Sequence, residues 1–415
     1  MRVLVSVMPF AGHASPLTGV VAELLARGHV VTVYSGSRYR QRFEALGAGF
    51  VPWLAAPDFD EHDLPSTFPE VGRPGPRGLL ANLEHLFIRS AEGQARDLLG
   101  QLDGAHYDLL VGDVMSLGCG IAAEVSKIPW ATVSIVPLSL PSKDLPPMGL
   151  ALHPGRGPLG RLRDAALRGV LARFTGRLDR ALDEVRASQG LPRTDLATAW
   201  YSPRLVLATG SSLIEYPRSD LGDQFHFVGR IAPAGAATTE IAPAAIPGQA
   251  RVLVTQGTFN TDPRELLQPA LRALDSHAVS VLATTGRAGV LDVGMPVPAN
   301  ATVVDFARFG DELRTTSIAV TNGGWGGVLE VLSAGVPLIV AGGDLDKPEI
   351  AARVGWSGAG IDLRTGRPTD TAVGTAVDKI LANPRYRERA QLIARELQSL
   401  GGAAAAVDYL EALVA

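Results

Sequence analysis

The stretch at residues 321–349, TNGGWGGVLEVLSAGVPLIVAGGDLDKPE, leaves this chain few folds to choose from. An apolar run at 317–320 leads into it and reads as a buried strand. Four glycines follow: Gly323, Gly324, Gly326 and Gly327. Apolar residues at Val328, Leu329, Val331 and Leu332 then recur at helical spacing until Gly335, and 336–341 reads as a second buried strand. Strand, glycine turn, helix and strand make one βαβ unit, which requires a parallel sheet. Glycines at a helix start let a ligand approach the backbone, and the unpaired N–H groups there favour an anion such as a phosphate. A turn that serves packing alone has the same pattern, so the residues around it must decide.

With 415 residues the chain is too long for one ordinary domain and suits two of roughly 200. Apolar residues make up 46% of it, enough for a core in each half. A net charge of −4 gives no basic footprint for nucleic acid. The single cysteine, Cys119, rules out an internal disulfide and fits a reducing compartment. No apolar run reaches the roughly 18 residues of a membrane span. The opening MRVLVSVMPF lacks the long apolar segment and small-residue cleavage site of a signal peptide, so a cytoplasmic location is expected.

The βα rhythm begins at once. Residues 3–7 read as a strand, PFAGHASP as a loop, 17–27 as a helix closed by Gly28, and 30–35 and 50–53 as strands. This predicts a doubly wound parallel sheet. Residues 55–80, with five prolines, break the rhythm as a long loop. A helix at 79–102, strands at 109–112 and 131–135, a Pro/Gly-rich insertion at 137–160 and an Arg-rich helix at 161–189 follow. Residues 205–208 and 225–228 read as the last strands of this half. The Ala/Pro-rich segment 231–250 reads as a linker. Strands are then expected at 252–255, 279–284, 302–305, 318–321 and 338–341, with closing helices at 385–400 and 403–414. The expected organisation is a first domain over 1–230, a linker over 231–250 and a second domain over 251–399.

In open α/β sheets, ligands bind beyond the carboxyl ends of the strands, where the strand order reverses. His13 follows the first strand and Asp113 ends the fourth; in the order 3-2-1-4-5 these strands are neighbours and their loops face each other. An imidazole held by a carboxylate is a general base with a fixed tautomer. The plainer readings are a loop histidine bonded to backbone and an aspartate capping a helix. His29 follows a helix end and reads as a cap or surface residue. The GHASP loop is not GxGxxG, and the chain has no P-loop pattern.

In the second half, Gln256, Gly257 and Thr258 end a strand. Thr258 could donate its hydroxyl to a phosphate or simply turn the chain. Glu330 lies just after the glycines, where a carboxylate either pairs with the helix dipole or accepts ribose hydroxyls. Phe306 follows another strand and either stacks on a nucleobase or joins the core. The acidic run at 58–63, DFDEHD, reads as a solvated loop. Asp344 and Asp346 read as acceptors for sugar hydroxyls rather than metal ligands, because the helix start already supplies positive potential to a diphosphate.

These residues resemble the family 1 glycosyltransferases of GT-B fold, over nearly the whole chain. The carriers are VSVMPFAGHASP with LTGVVAELLARGHVVTVYS, and VTNGGWGGVLEVLSAGVPLIVAGGDLDKPEIAARVGWSGAGIDL. The likeness is strongest to bacterial enzymes that glycosylate macrolides and polyketides. It implies two Rossmann-like doubly wound domains facing across a cleft, the first for an apolar small-molecule acceptor and the second for a nucleotide sugar. The last helix, about 400–415, would pack back on the first domain. It implies an inverting transfer from a UDP- or dTDP-sugar, with no metal and no other cofactor, by a monomer or homodimer. His13 matches the family's base and Asp113 its partner. Thr258, beside Gly257, matches a hydroxyl near the diphosphate. Phe306 stands where a Trp usually meets the base, Glu330 matches the ribose-binding glutamate, and Asp346 matches the acid that reads the sugar. Three positions depart from the pattern. Asn322 replaces a histidine that contacts the diphosphate. Val328 replaces a serine, so phosphate binding would rest on the amides of the turn at Gly324, Gly326, Gly327 and Val328. Lys347 replaces a glutamine that touches the hexose, which leaves UDP-glucose and a dTDP-deoxysugar both open. Alternatives of similar architecture are a glycolipid-forming transferase, a sugar-nucleotide epimerase and a non-catalytic partner of another transferase.

Overall fold

The computed structural model describes residues 1–415 except 73–74, 237–238, 243–249, 258–259 and 261 and the side chains of Pro76 and Phe174. Most of the expected linker's second half, and Thr258, therefore lie outside the described residues.

Runs of Val, Leu and Ile without polar alternation suit strands covered on both faces, which is the environment of a parallel sheet between helix layers. Seven such strands form the first sheet: β1 (Arg2–Ser6), β2 (Val30–Ser35), β3 (Gly49–Pro52), β4 (Leu109–Asp113), β5 (Trp130–Ser134), β6 (Val206–Thr209) and β7 (Phe225–Gly229). Their order is β3-β2-β1-β4-β5-β6-β7. The second sheet holds β8 (Arg251–Thr255), β9 (Ser280–Thr284), β10 (Ala301–Val304), β11 (Ile318–Thr321), β12 (Leu338–Val340) and β13 (Gly360–Asp362), in the order β10-β9-β8-β11-β12-β13. Both sheets reverse direction of winding at one point, between β1 and β4 and between β8 and β11. There Val5 pairs with Val111 and Val254 with Val320, all parallel. The strand β13 was not expected. At three residues, one of them Gly and one Asp, it carries too little apolar pattern to announce itself.

Several elements differ from expectation. The first helix runs Ala11–Ala26, so it starts six residues earlier than its apolar pattern and places His13 in its first turn. Pro16 sits inside it, where the missing N–H costs only one bond near the N-terminus. Residues 55–80 contain two short helices, Leu64–Thr67 and Gly75–Ala81. Aromatic contacts among Phe10, Trp53, Phe59 and Phe68 anchor the segment to the first half.

The C-terminal helix, Gly402–Val414, buries Ala406, Val407 and Leu410 in the same core as Leu17, Val20 and Leu24 of the first helix. Burying a Val or Leu side chain stabilises by about 1.5–3 kcal/mol. Arg27 adds hydrogen bonds to Asp408 Oδ1 (2.7 Å) and Glu411 Oε2 (3.0 Å). His29 is not a surface residue: Nε2 contacts Glu411 at 2.8 Å and Nδ1 the chain's amino terminus at 3.1 Å. The end of the chain is thereby tied to its beginning.

Candidate active site

The carboxyl end of β4 delivers Asp113 at the switch point, and a buried carboxylate there must be satisfied. Asp113 is 2% exposed. Its Oδ2 accepts from the Met8 amide (3.1 Å) and from His13 Nδ1 (2.7 Å), and its Oδ1 accepts from the Met115 amide (3.0 Å). A carboxylate only accepts, so the His13 proton resides on Nδ1 and Nε2 carries the lone pair. Nε2 has no hydrogen-bond partner among the described residues, and the ring is part-exposed. Burial pushes the imidazole down, but Asp113, through charge and hydrogen bond, and then Asp346 and Glu61, raise it above the ordinary histidine value.

Glu61 explains why the first helix starts where it does. The residue before the helix, Phe10, offers no side-chain cap. Instead Glu61 Oε2 accepts the Ala11 amide at 2.9 Å, while Oε1 accepts the Tyr39 hydroxyl at 2.6 Å. The acidic run at 58–63 is thus no solvated loop: Asp58 accepts the Ser37 amide at 3.0 Å, Asp60 pairs with Arg38, and Glu61 is 8% exposed. Replacing Glu61 by Ala is expected to lower stability by about 1–2 kcal/mol, the scale of a lost helix cap. A urea midpoint unchanged from wild type would contradict this.

On the facing half, Gly323 turns the chain at φ +92°, and a Cβ there would lie 2.8 Å from Val340 Cγ1, so only glycine fits. The glycine helix spans Trp325–Ser333 with Gly324 at its N-cap. It begins three residues before Val328, which places Gly326 and Gly327 in its first turn and Glu330 in its second rather than its first. The Val328 amide is already donated to the Gly324 carbonyl (3.0 Å). The donor expected at Val328 is thus engaged within the helix, and among the described residues the amides of Trp325, Gly326 and Gly327 have no partner. Trp325 itself docks on the first half, its Nε1 donating to Thr209 Oγ1 at 2.9 Å. A chain scan for motifs does not reveal this contact, since its partner is a plain strand-end threonine.

Glu330 forms an ion pair with Arg230 at 3.1 Å, so one of its oxygens is engaged across the two halves. Phe306 is 52% exposed, which removes the core reading and leaves its ring available on the surface after β10. Asn322 Nδ2 donates to the Gln256 carbonyl and to Asn260 Oδ1, and its side chain lies against Gly257, which has φ +72°. Lys347, 7% exposed, donates to Asn260 and to Asp344 Oδ1 (2.8 Å), so Asp344 is spent on an ion pair. Asp346 stands at the N-cap position of the helix Lys347–Ser357 without a side-chain capping bond. Burial raises its carboxyl above the ordinary value, against its own backbone amide, Lys347 and His13. Asp346 raises His13, and His13 lowers Asp346; these residues of opposite halves face the same space. Among the described residues no group of three His, Cys, Asp or Glu side chains could hold a metal ion. Among the described residues no helix is long and apolar enough to cross a membrane. Cys119 is buried, and burial pushes its thiol up to about 12, which makes it inert.

Residues 265–413 match the family model "Erythromycin biosynthesis protein CIII-like, C-terminal domain". The chain is 38% identical to 4'-demethylrebeccamycin synthase of Lentzea aerocolonigenes, over 100% of this chain and 99% of that protein. It is 31% identical to UDP-glucosyltransferase 1 of Beauveria bassiana, over 96% and 92%. The structure of glycosyltransferase VinC in complex with dTDP superposes with a TM-score of 0.69 at 20% identity, covering 100% of this chain and 99% of that one.

Proposed function

Because the chain belongs to the nucleotide-sugar glycosyltransferases of the natural-product GT-B type, we propose that it transfers a hexose, with inversion and without a metal, from a UDP- or dTDP-sugar to a hydroxyl of an apolar natural-product acceptor. The observation that carries this reading is the His13–Asp113 pair at 2.7 Å, at the switch point of the first sheet. His13 Nε2 takes the proton of the acceptor hydroxyl. The oxygen attacks the anomeric carbon from the face opposite the nucleotide, the bond to the diphosphate oxygen breaks, and the electron pair leaves with the diphosphate. Asp113 stabilises the imidazolium that forms. The free amides of Trp325, Gly326 and Gly327, at the positive end of the helix dipole, meet the charge that develops on the leaving group. Asn322 and Lys347 brace the loops beside that turn, donating to Gln256, Asn260 and Asp344. Phe306 faces the base, Glu330 keeps one oxygen for the ribose, and Asp346 accepts from the sugar.

The dTDP of the VinC complex and the UDP named for the fungal relative are the two nucleotides to try first. The test incubates the protein with UDP-glucose and several dTDP-deoxysugars, each with polycyclic aromatic and macrolide acceptors, and reads product mass. A glycoside whose formation needs both partners is the expected result. Conversion of the nucleotide sugar without any acceptor would point to an epimerase instead and overturn the transfer.

A further inference from the structure

The helix Lys347–Ser357, which begins at the sugar-facing Asp346, also holds the first half by a separate set of bonds. Glu349, 5% exposed, accepts at Oε1 from two backbone amides of the 137–160 insertion: Gly149 at 2.7 Å and Ala151 at 2.8 Å. Its Oε2 accepts from Arg353 Nη1 at 3.0 Å, and Arg353 Nε donates to Glu215 Oε1 at 2.9 Å. The Arg353 guanidinium lies 4.6 Å over the Tyr216 ring and is 2% exposed. One turn further along, His153 Nε2 meets the Ala352 carbonyl at 3.0 Å. Residues 150–156 thereby form one wall of a cavity of about 890 Å³, whose other wall includes Gly342, Gly343, Trp356 and Arg364.

Backbone strain gathers at the same place. Among the described residues, four that are not glycine have positive φ, and three of them ring this junction: Ala151 (+51°), Leu345 (+53°) and Arg364 (+55°). Such conformations persist only where surrounding bonds over-determine them. At Ala151 the over-determining bond is the one to Glu349.

We propose that Glu349 is a positioning residue: it locks residues 149–153 onto the helix whose start reads the donor, so that the acceptor-side wall and the donor-reading turn move as one body. This rests on the glycosyl-transfer reading above. The physical basis is the length of the lever. Asp346 and Lys347 sit three and two residues before Glu349 on the same helix cap and first turn, and a helix turn does not flex at that length. A nucleotide sugar that orders the helix start therefore also orders the two amides that Glu349 holds.

Hydrogen exchange on the full chain, with UDP-glucose and with a dTDP-deoxysugar as the nucleotide probes, tests this. In wild type the Gly149 and Ala151 amides exchange slowly, and a bound nucleotide slows them further by about tenfold, within the usual range of coupling between sites. In Glu349→Ala those amides exchange fast whether or not nucleotide is present, and because the coupling is reciprocal the variant binds nucleotide about tenfold more weakly than wild type. Glu349→Gln, which keeps the acceptor oxygen but loses the ion pair with Arg353, falls between them and serves if the alanine variant does not fold. If a nucleotide binds wild type and leaves both amides unchanged, the lock is overturned and the transferase reading stands. A wild type that binds neither nucleotide overturns the transferase reading itself, and the lock with it.

Discussion

Replacing His13 by Ala lowers turnover by about 10³-fold, within the range a positioned general base contributes, while nucleotide affinity stays within about twofold. The separation follows from geometry. His13 sits in the first turn of the first helix, on the first half, and its Nδ1 is committed to Asp113. The proposed diphosphate donors are the amides at the start of Trp325–Ser333, on the other half. Removing the imidazole takes away the proton acceptor and leaves those amides untouched. Residual turnover comes from the held leaving group and from proximity alone. Product formation by the alanine variant at the wild-type rate would remove His13 from the chemistry.

Replacing Asp113 by Asn is expected to cost turnover by about 10²–10⁴-fold, as loss of tautomer control does elsewhere. The asparagine amide can donate to Nδ1, which moves the ring proton to Nε2, where the lone pair is needed. The same change alters the pH profile with a definite sign. Burial lowers the His13 pKa and Asp113 is the largest influence raising it. A base works when unprotonated, so the wild-type rate falls on the acid side at a pH above the ordinary histidine value of about 6.5. Without the Asp113 charge that limb moves to lower pH. Stability follows the same linkage. A raised folded pKa contributes stability that is present in full below the unfolded value of about 6.5 and is lost as pH rises through the folded value. The stability gap between wild type and Asp113→Asn is therefore wider at pH 5 than at pH 9. A gap that is constant, or wider in alkali, would show that the pair is not charged in the fold.

The pairing of His13 with Asp113 was legible because it needs only strand order: β1 and β4 flank the switch point, Asp113 closes β4, and His13 follows β1 after one short loop. The two parallel sheets were legible from apolar runs alternating with helical periods. What was not legible lies in contacts between distant residues. The first helix begins at Ala11 because Glu61, fifty positions on, caps it; no local signal could give that start. The acidic run around Glu61 looks like a solvated loop when its partners Tyr39, Ser37 and Arg38 are unknown. Likewise Glu330 reads as a free ribose acceptor until Arg230 is brought beside it. The glycine helix starts at Trp325 rather than after the glycines because Trp325 has an anchor, Thr209, on the other half. With the start fixed there, helix geometry leaves the amides of Trp325, Gly326 and Gly327 without an intrahelical partner and bonds that of Val328 to Gly324.

The stereochemistry of the product tests the in-line displacement most directly. With UDP-α-glucose as donor and an accepted aromatic hydroxyl, attack by the oxygen that His13 deprotonates, on the face opposite a diphosphate held by the glycine helix, gives a β-linked glucoside, read from the anomeric proton coupling. An α-linked product would mean that oxygen and leaving group share a face, and would contradict the placement of His13 opposite the amides of Trp325, Gly326 and Gly327.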